Sequence, residues 1–237
     1  MRRALLDLVT GAECPGCGCP GALPCASCAR ELRGRVRRSL PSPAPPGLLP
    51  AYAGGDYDGV LRSLLLGHKE HQQFGTASLL GALLADAVTA LCAARGVTRS
   101  SVLLVPAPSQ PSATRKRGHD PTLRLTRRAG AVLGCPTAPL LSVGRVRDQG
   151  ELDRTERLTN LRGSMAVRPG AAARVRRGWV KRGRAACWVV VCDDVMTTGA
   201  TAREAQRALV DAGWGVLGVA TVAATRLRSS ATGRSGW

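Results

Sequence analysis

One ordered run narrows the fold more than anything else in this chain. Val189-Val190-Val191-Cys192 is a short, continuous apolar stretch, ended by Asp193-Asp194. After Val195-Met196 comes a turn of small residues, Thr197-Thr198-Gly199-Ala200-Thr201, and then good helix formers from Thr201 to Ala212, closed by Gly213. Short apolar runs without alternation read as strands buried on both faces, the habit of parallel sheets covered by helices. Glycine just past a helical stretch is a favoured C-terminal stop. The run predicts a strand, an acidic strand end, a tight turn and a helix.

The rest of the pattern agrees. Val102-Leu103-Leu104-Val105, ended by Pro106-Ala107-Pro108, and Val216 to Ala223 read as two further strands. Leu61, Leu64 and Leu65, then Leu79, Leu80, Leu83, Leu84, Val88 and Leu91, have helical spacing, and Thr122 to Val132 can be helical. Strands alternating with helices predict an α/β fold with a parallel sheet flanked by helices. Aromatic residues make up only 3%, so the core must be built from Val, Leu and Ala. Pro41-Ser42-Pro43-Ala44-Pro45-Pro46-Gly47, with Pro50 behind it, reads as a semi-rigid linker or surface crossing. That divides the chain into a small module at 1–40, a linker at 41–50, a main domain at 51–227 and a flexible tail at 228–237. The longest apolar stretch, Leu79 to Ala94, is interrupted by Asp86 and shorter than the ~20 residues a bilayer needs. The start does not read as a secretory signal, so the chain is expected to be cytoplasmic, with reduced thiols.

In open α/β sheets ligands bind beyond the carboxyl ends of strands, where Asp193 and Asp194 fall. The turn at Thr197, Thr198, Gly199, Ala200 and Thr201 offers backbone N–H groups, hydroxyls and a helix N-terminus to an anion. The two carboxylates can accept hydrogen bonds from sugar hydroxyls nearby. A phosphate monoester on a ribose has both parts at about this separation, and each charge-assisted bond contributes ~1.5–3 kcal/mol. A P-loop is excluded, because none of the three lysines follows a glycine as that motif requires. Two Gly-x-Gly-x-x-Gly spacings, at Gly16–Gly21 and Gly213–Gly218, lack the strand-then-helix order of a dinucleotide site. The bland alternative is an ordinary strand end followed by a helix cap.

Nine cysteines are unevenly spread, with five between Cys14 and Cys28. Cys14-x₂-Cys17 and Cys25-x₂-Cys28 are two chelating pairs, the donor set of a tetrahedral structural Zn²⁺ site, with Cys19 as a spare. An Fe–S cluster or a set of unligated thiols are the alternatives. Four cysteines leave no open coordination position, so the role read here is structural.

The 34 Lys and Arg against 16 Asp and Glu give a net charge of +18, which attracts polyanions of any kind. The basic residues cluster at Arg33, Arg35, Arg37 and Arg38, at Arg115, Lys116 and Arg117, and at Arg174, Arg176, Arg177, Lys181, Arg182 and Arg184. The middle cluster follows Val105, so a parallel sheet would open it on the same edge as Asp193 and Asp194. Arg115 and Arg117 could there meet a diphosphate. None of His68, His71 and His119 reads as catalytic.

Residues 189–201 resemble the phosphoribosyl-diphosphate (PRPP) signature of type I phosphoribosyltransferases. The resemblance implies that Asp193 and Asp194 hold the ribose hydroxyls and that Thr197 to Thr201 cradle the 5′-phosphate, with Mg²⁺ accompanying PRPP. The wider order of elements resembles the ComF family of competence proteins. It consists of the four-Cys head, Tyr57-Asp58-Gly59-Val60-Leu61-Arg62 leading to Lys69, Val105-Pro106-Ala107-Pro108 with Arg115-Lys116-Arg117-Gly118-His119-Asp120, and Gln149 to Asn160. The chain departs from that family's pattern at His119-Asp120 and around Lys69. The resemblance implies a type I phosphoribosyltransferase-like sheet, a zinc head and a mobile flap at 145–160. It also implies either ribosyl-phosphate transfer to a nitrogen acceptor or a non-catalytic part in PRPP sensing or single-stranded DNA handling during DNA uptake.

Overall fold

Each apolar run becomes a strand whose alternate side chains serve two different cores. The computed structural model describes residues 13–21, 23–144, 163–181 and 187–225. Along the chain these form α1 (Ala26–Glu31), β1 (Arg37–Arg38), β2 (Ala51–Ala53), α2 (Gly59–Glu70), α3 (Ala77–Ala94), β3 (Val102–Pro106), α4 (Pro111–Arg117), α5 (Pro121–Leu133), β4 (Leu141–Val143), β5 (Met165–Val167), α6 (Pro169–Lys181), β6 (Trp188–Met196), α7 (Ala200–Asp211) and β7 (Gly215–Ala224). Five strands pair in the order β1-β2-β7-β6-β3. The pairings among β2, β7, β6 and β3 are parallel, and β1 is an antiparallel edge. β4 and β5 form a separate antiparallel pair.

On one face, Val190 and Cys192 of β6, Leu104 of β3 and Val222 of β7 pack with Leu80, Leu84, Val88 and Leu91 of α3 and Leu125 of α5. On the other, Val189, Val191, Leu103, Val105 and Val219 meet Ala205 and Leu209 of α7 and Trp179 of α6. The period-2 alternation of a strand produces that split. Burying a Leu or Val fully contributes about 1.5–3 kcal/mol relative to leaving it in water, which is how a chain poor in aromatics holds together. The segment Phe74–Ala94 is long and apolar enough to cross a membrane, but here it belongs to the core, with α3 packed across the sheet.

Two features position the candidate site. β6 does not stop at the acids: Asp193 pairs with Thr221, Val195 with Ala223 and Met196 with Ala224. β7 is just as long, and its ladder carries β6 past the end of its apolar run. The proline-rich segment is pinned to α7. Leu49 N–H donates to Gln206 Oε1 (3.0 Å), Gln206 Nε2 to Gly47 O (3.0 Å) and Arg203 Nε to Pro46 O (2.9 Å).

The flap expected at 145–160 and the tail at 228–237 lie outside the described residues, as do Arg182 and Arg184.

Candidate active site and metal centre

The carboxyl ends of β3, β6 and β7 share one edge of the sheet, and β6 brings Asp193 and Asp194 there. The Asp193 carboxylate accepts the N–H of Asp194 (2.8 Å), and Asp194 accepts the N–H of Val195 (2.7 Å). The second oxygen of Asp194 accepts from Lys69 Nζ at 2.9 Å. Burial pushes Asp193 well above the usual carboxylate range, and the neighbouring Asp194 adds to that effect. Burial opposes the charge on Lys69, yet the pull of Asp194 prevails and holds the ammonium above its ordinary value. The edge therefore presents two carboxyl groups and a cation in direct contact.

Lys69 is a site residue that sequence reasoning did not assign. Its partner lies 125 positions away, and only the packing of α2 against the sheet edge joins them. The next residue, Glu70, grips Arg117 of α4 with two bonds, Nε to Oε2 (3.0 Å) and Nη2 to Oε1 (2.8 Å). The Arg117 bond holds the Glu70 carboxyl below its ordinary value. The last turn of α2 thus ties β6 to α4.

Thr197 to Gly199 form the bend between β6 and α7, and Ala200 and Thr201 open the helix. Thr197 is exposed, Thr198 and Thr201 are half-buried, and Gly199 and Ala200 are buried. Gly199 stands at the N-cap with φ 74°, and a Cβ there would lie 3.0 Å from both Leu48 and Pro41. Glycine is required twice over, for the left-handed backbone and for the approach of the proline segment. Thr198 Oγ1 accepts the Ala200 N–H at 3.3 Å. Helix geometry leaves first-turn N–H groups without backbone partners, ready for an anion.

Arg115 and Arg117 lie in the last turn of α4, just beyond the end of β3. Arg115 is exposed and takes part in none of the described ion pairs, whereas Arg117 is engaged by Glu70. Behind them is a cluster that the sequence did not announce. His68 is buried, and burial lowers its pKa to about 4, so it is neutral near pH 7. The Thr76 hydroxyl donates its one hydrogen to Gln73 O (2.7 Å), so it accepts from His68 Nδ1 (3.4 Å). Phe74 lies edge-on to His119, with ring centroids 5.0 Å apart, and Arg124 sits 4.0 Å over the Phe74 ring. An open cavity of about 370 Å³ next to them is lined by His119, Asp120, Leu123, Arg124, Arg127 and Arg128.

The head brings Cys14, Cys17, Cys25 and Cys28 together, with all four sulfurs within 4.8 Å of one another. Cys25 caps α1, so the Cys28 N–H points at its sulfur (3.5 Å), and the Cys25 N–H points at Cys14 Sγ (3.5 Å). The Cys28 N–H favours the Cys25 thiolate, lowering its pKa to about 6. Four converging thiols with N–H···S support fit a tetrahedral zinc ion held structurally.

No protein-family model matches the chain, and no curated protein matches it. Solved structures are similar in outline. An adenine phosphoribosyltransferase from Saccharomyces cerevisiae, complexed with an imino-altritol bisphosphate and adenine, shares 16% identity over 84% of this chain and 89% of its own, at a TM-score of 0.37. An orotate phosphoribosyltransferase from Aeropyrum pernix shares 19% over 83% and 92%, at 0.34. An adenine phosphoribosyltransferase from Rhodothermus marinus shares 16% over 83% and 86%, at 0.29. Likeness of that size does not transfer an activity, and the residues of the site must carry one themselves.

Proposed function

We propose that this chain binds PRPP and transfers its ribosyl 5-phosphate to a nitrogen acceptor, releasing diphosphate. One observation carries the reading: two adjacent carboxyl groups near the carboxyl end of a parallel strand are followed, after a short bend, by a helix N-terminus with Gly199 at its N-cap. In this reading the N–H groups and hydroxyls of residues 197–201 hold the 5′-phosphate, and Asp193 and Asp194 accept hydrogen bonds from the ribose hydroxyls. As the bond from C1 to the diphosphate oxygen breaks, the leaving oxygen keeps the electron pair and positive charge grows on the ribose. Asp193 and Asp194 hold the ribose as that charge grows. The acceptor nitrogen forms the new bond to C1 and loses its proton. No protein nucleophile is required.

Arg115, exposed in the last turn of α4, would meet the diphosphate in this reading. Arg117 would join it on release from Glu70. Lys69 competes for Asp194 until ribose arrives and then provides a cation for the diphosphate side. Mg²⁺ brought in with PRPP supplies neutralisation of the diphosphate charge.

A second reading has its own observation. The open cavity lined by Arg124, Arg127 and Arg128 offers a polyanion three arginines in one place. It supports the non-catalytic alternative, single-stranded DNA handling in uptake, which the ComF resemblance also implies.

Calorimetric titration with Mg²⁺-PRPP, beside single-stranded DNA binding measured against salt, separates the two. The transferase reading expects PRPP binding in the native chain and a loss of about tenfold or more in Asp193→Asn/Asp194→Asn, with DNA binding unchanged. DNA binding without any PRPP binding would favour the second reading.

A further inference from the structure

Cys19 is not a bystander of the metal head. Its sulfur lies 3.3 Å from Cys17 Sγ, which is itself 3.6 Å from Cys25 Sγ. The position is fixed by backbone: Cys14 N–H donates to Cys19 O at 2.9 Å, Gly18 N–H returns to Cys14 O at 2.7 Å, and Glu13 bridges Pro20. The knuckle therefore brings five sulfurs together where a tetrahedral ion uses four. The set is also lopsided. Cys14 and Cys28 are buried, Cys25 and Cys19 are half-buried and Cys17 is exposed. The spare thiol is held against the ligand most open to solvent.

We propose that Cys17 and Cys19 form an oxidation site at which a peroxide joins the two sulfurs and the head gives up its metal. Hydrogen peroxide first oxidises the exposed Cys17 sulfur to a sulfenic acid; an S–O bond forms, the O–O bond breaks and one water leaves. The Cys19 sulfur, already in contact, attacks that sulfur; the S–S bond forms and the second water departs. Two thiols and one peroxide become one disulfide and two waters. The ion is left with three thiolate ligands and dissociates. A dithiol reductant together with zinc restores the original state. A redox-sensitive cysteine is accessible and has a resolving thiol beside it, and the knuckle supplies both. The proposal rests on the zinc reading of the head and is independent of the transferase reading.

The test uses the full zinc-loaded chain titrated with hydrogen peroxide. Released metal is followed by a chromogenic chelator, and disulfides are located by peptide mass. Zinc release is expected together with a two-hydrogen mass loss in the peptide carrying Cys17 and Cys19. Cys19→Ser is expected to bind zinc at the native stoichiometry, lose the two-hydrogen mass change and accumulate a sulfenic acid at Cys17 that a dione reagent traps. A native-chain disulfide that leaves Cys19 free, or no sulfenic acid trapped at Cys17 in Cys19→Ser, would overturn the proposal. So would loss of zinc binding in Cys19→Ser, since Cys19 would then be a ligand. A native chain that holds no zinc after reconstitution would instead sink the zinc reading itself.

Discussion

Asp193 is costly to hold where it stands. Burial and the adjacent Asp194 both disfavour its charged form, and the nearby Lys69 offsets only part of that. Its pKa in the folded chain lies above the unfolded value, so the folded state binds a proton that the unfolded chain has already lost. Stability from this residue is therefore full below about pH 4 and falls as pH rises toward the folded pKa. Asp193→Asn removes the effect, and an asparagine oxygen can still accept the Asp194 N–H. The expected result is a melting temperature raised by about 2–4 °C at pH 7, with no gain at pH 4 and with PRPP affinity lost. Melts of both proteins at the two pH values check it, and a variant that melts lower at pH 7 would contradict it. A binding site that requires a desolvated acid would explain why the stabler amide is not the native choice.

Among the elements, α2, α3, α5 and α7 and the strands β3, β6 and β7 were readable because their periodicity is local, whereas the short α1 and α4 and the arginine-rich α6 drew no helical reading. The run at Val189 predicted the core of β6, and Leu79 to Leu91 predicted α3. What the sequence concealed depends on partners far along the chain. β6 runs on through two acids because β7 pairs with it, and β2 is three residues supported by β7 on one side and β1 on the other. Lys69 could not be placed, since its role exists only where α2 meets β6. The proline segment illustrates the same limit. Its composition spoke of a crossing, but only the fold shows Pro41, Pro45 and Leu48 closing on Gly199. That contact makes a prediction about the turn as an element. Gly199→Ala would meet both the left-handed backbone and two side chains 3.0 Å from its new methyl. It should destabilise the chain by about 1–3 kcal/mol in denaturant unfolding and expose the Leu49 and Gly47 pairings with Gln206 to faster hydrogen exchange. A cost below about 0.5 kcal/mol would mean that the proline segment does not press on the turn.

At the scale of the whole molecule, the metal head and the sheet edge are joined by α2. A Cβ on Gly16 would fall 2.8 Å from Val60 Cγ1, and one on Gly67 would fall 3.3 Å from Pro15. The knuckle is thus seated along the helix that carries Lys69 and Glu70. The head has little core of its own, so zinc would supply most of its folding free energy, on the order of 10–16 kcal/mol. The sheet, by contrast, has two apolar cores that include none of the four clustered cysteines. Removing the metal should therefore unfold one part and only loosen its neighbour. After chelation, amide protection is expected to vanish in α1, fall by about tenfold or more in α2, and stay unchanged in β3 and β6. Mg²⁺-PRPP affinity should weaken together with α2, because Lys69 would no longer be held against Asp194, and restored zinc should recover both. Chelation that left α2 fully protected would mean that the head only rests against the helix. Loss of protection in β6 would mean that the two cores need the metal after all.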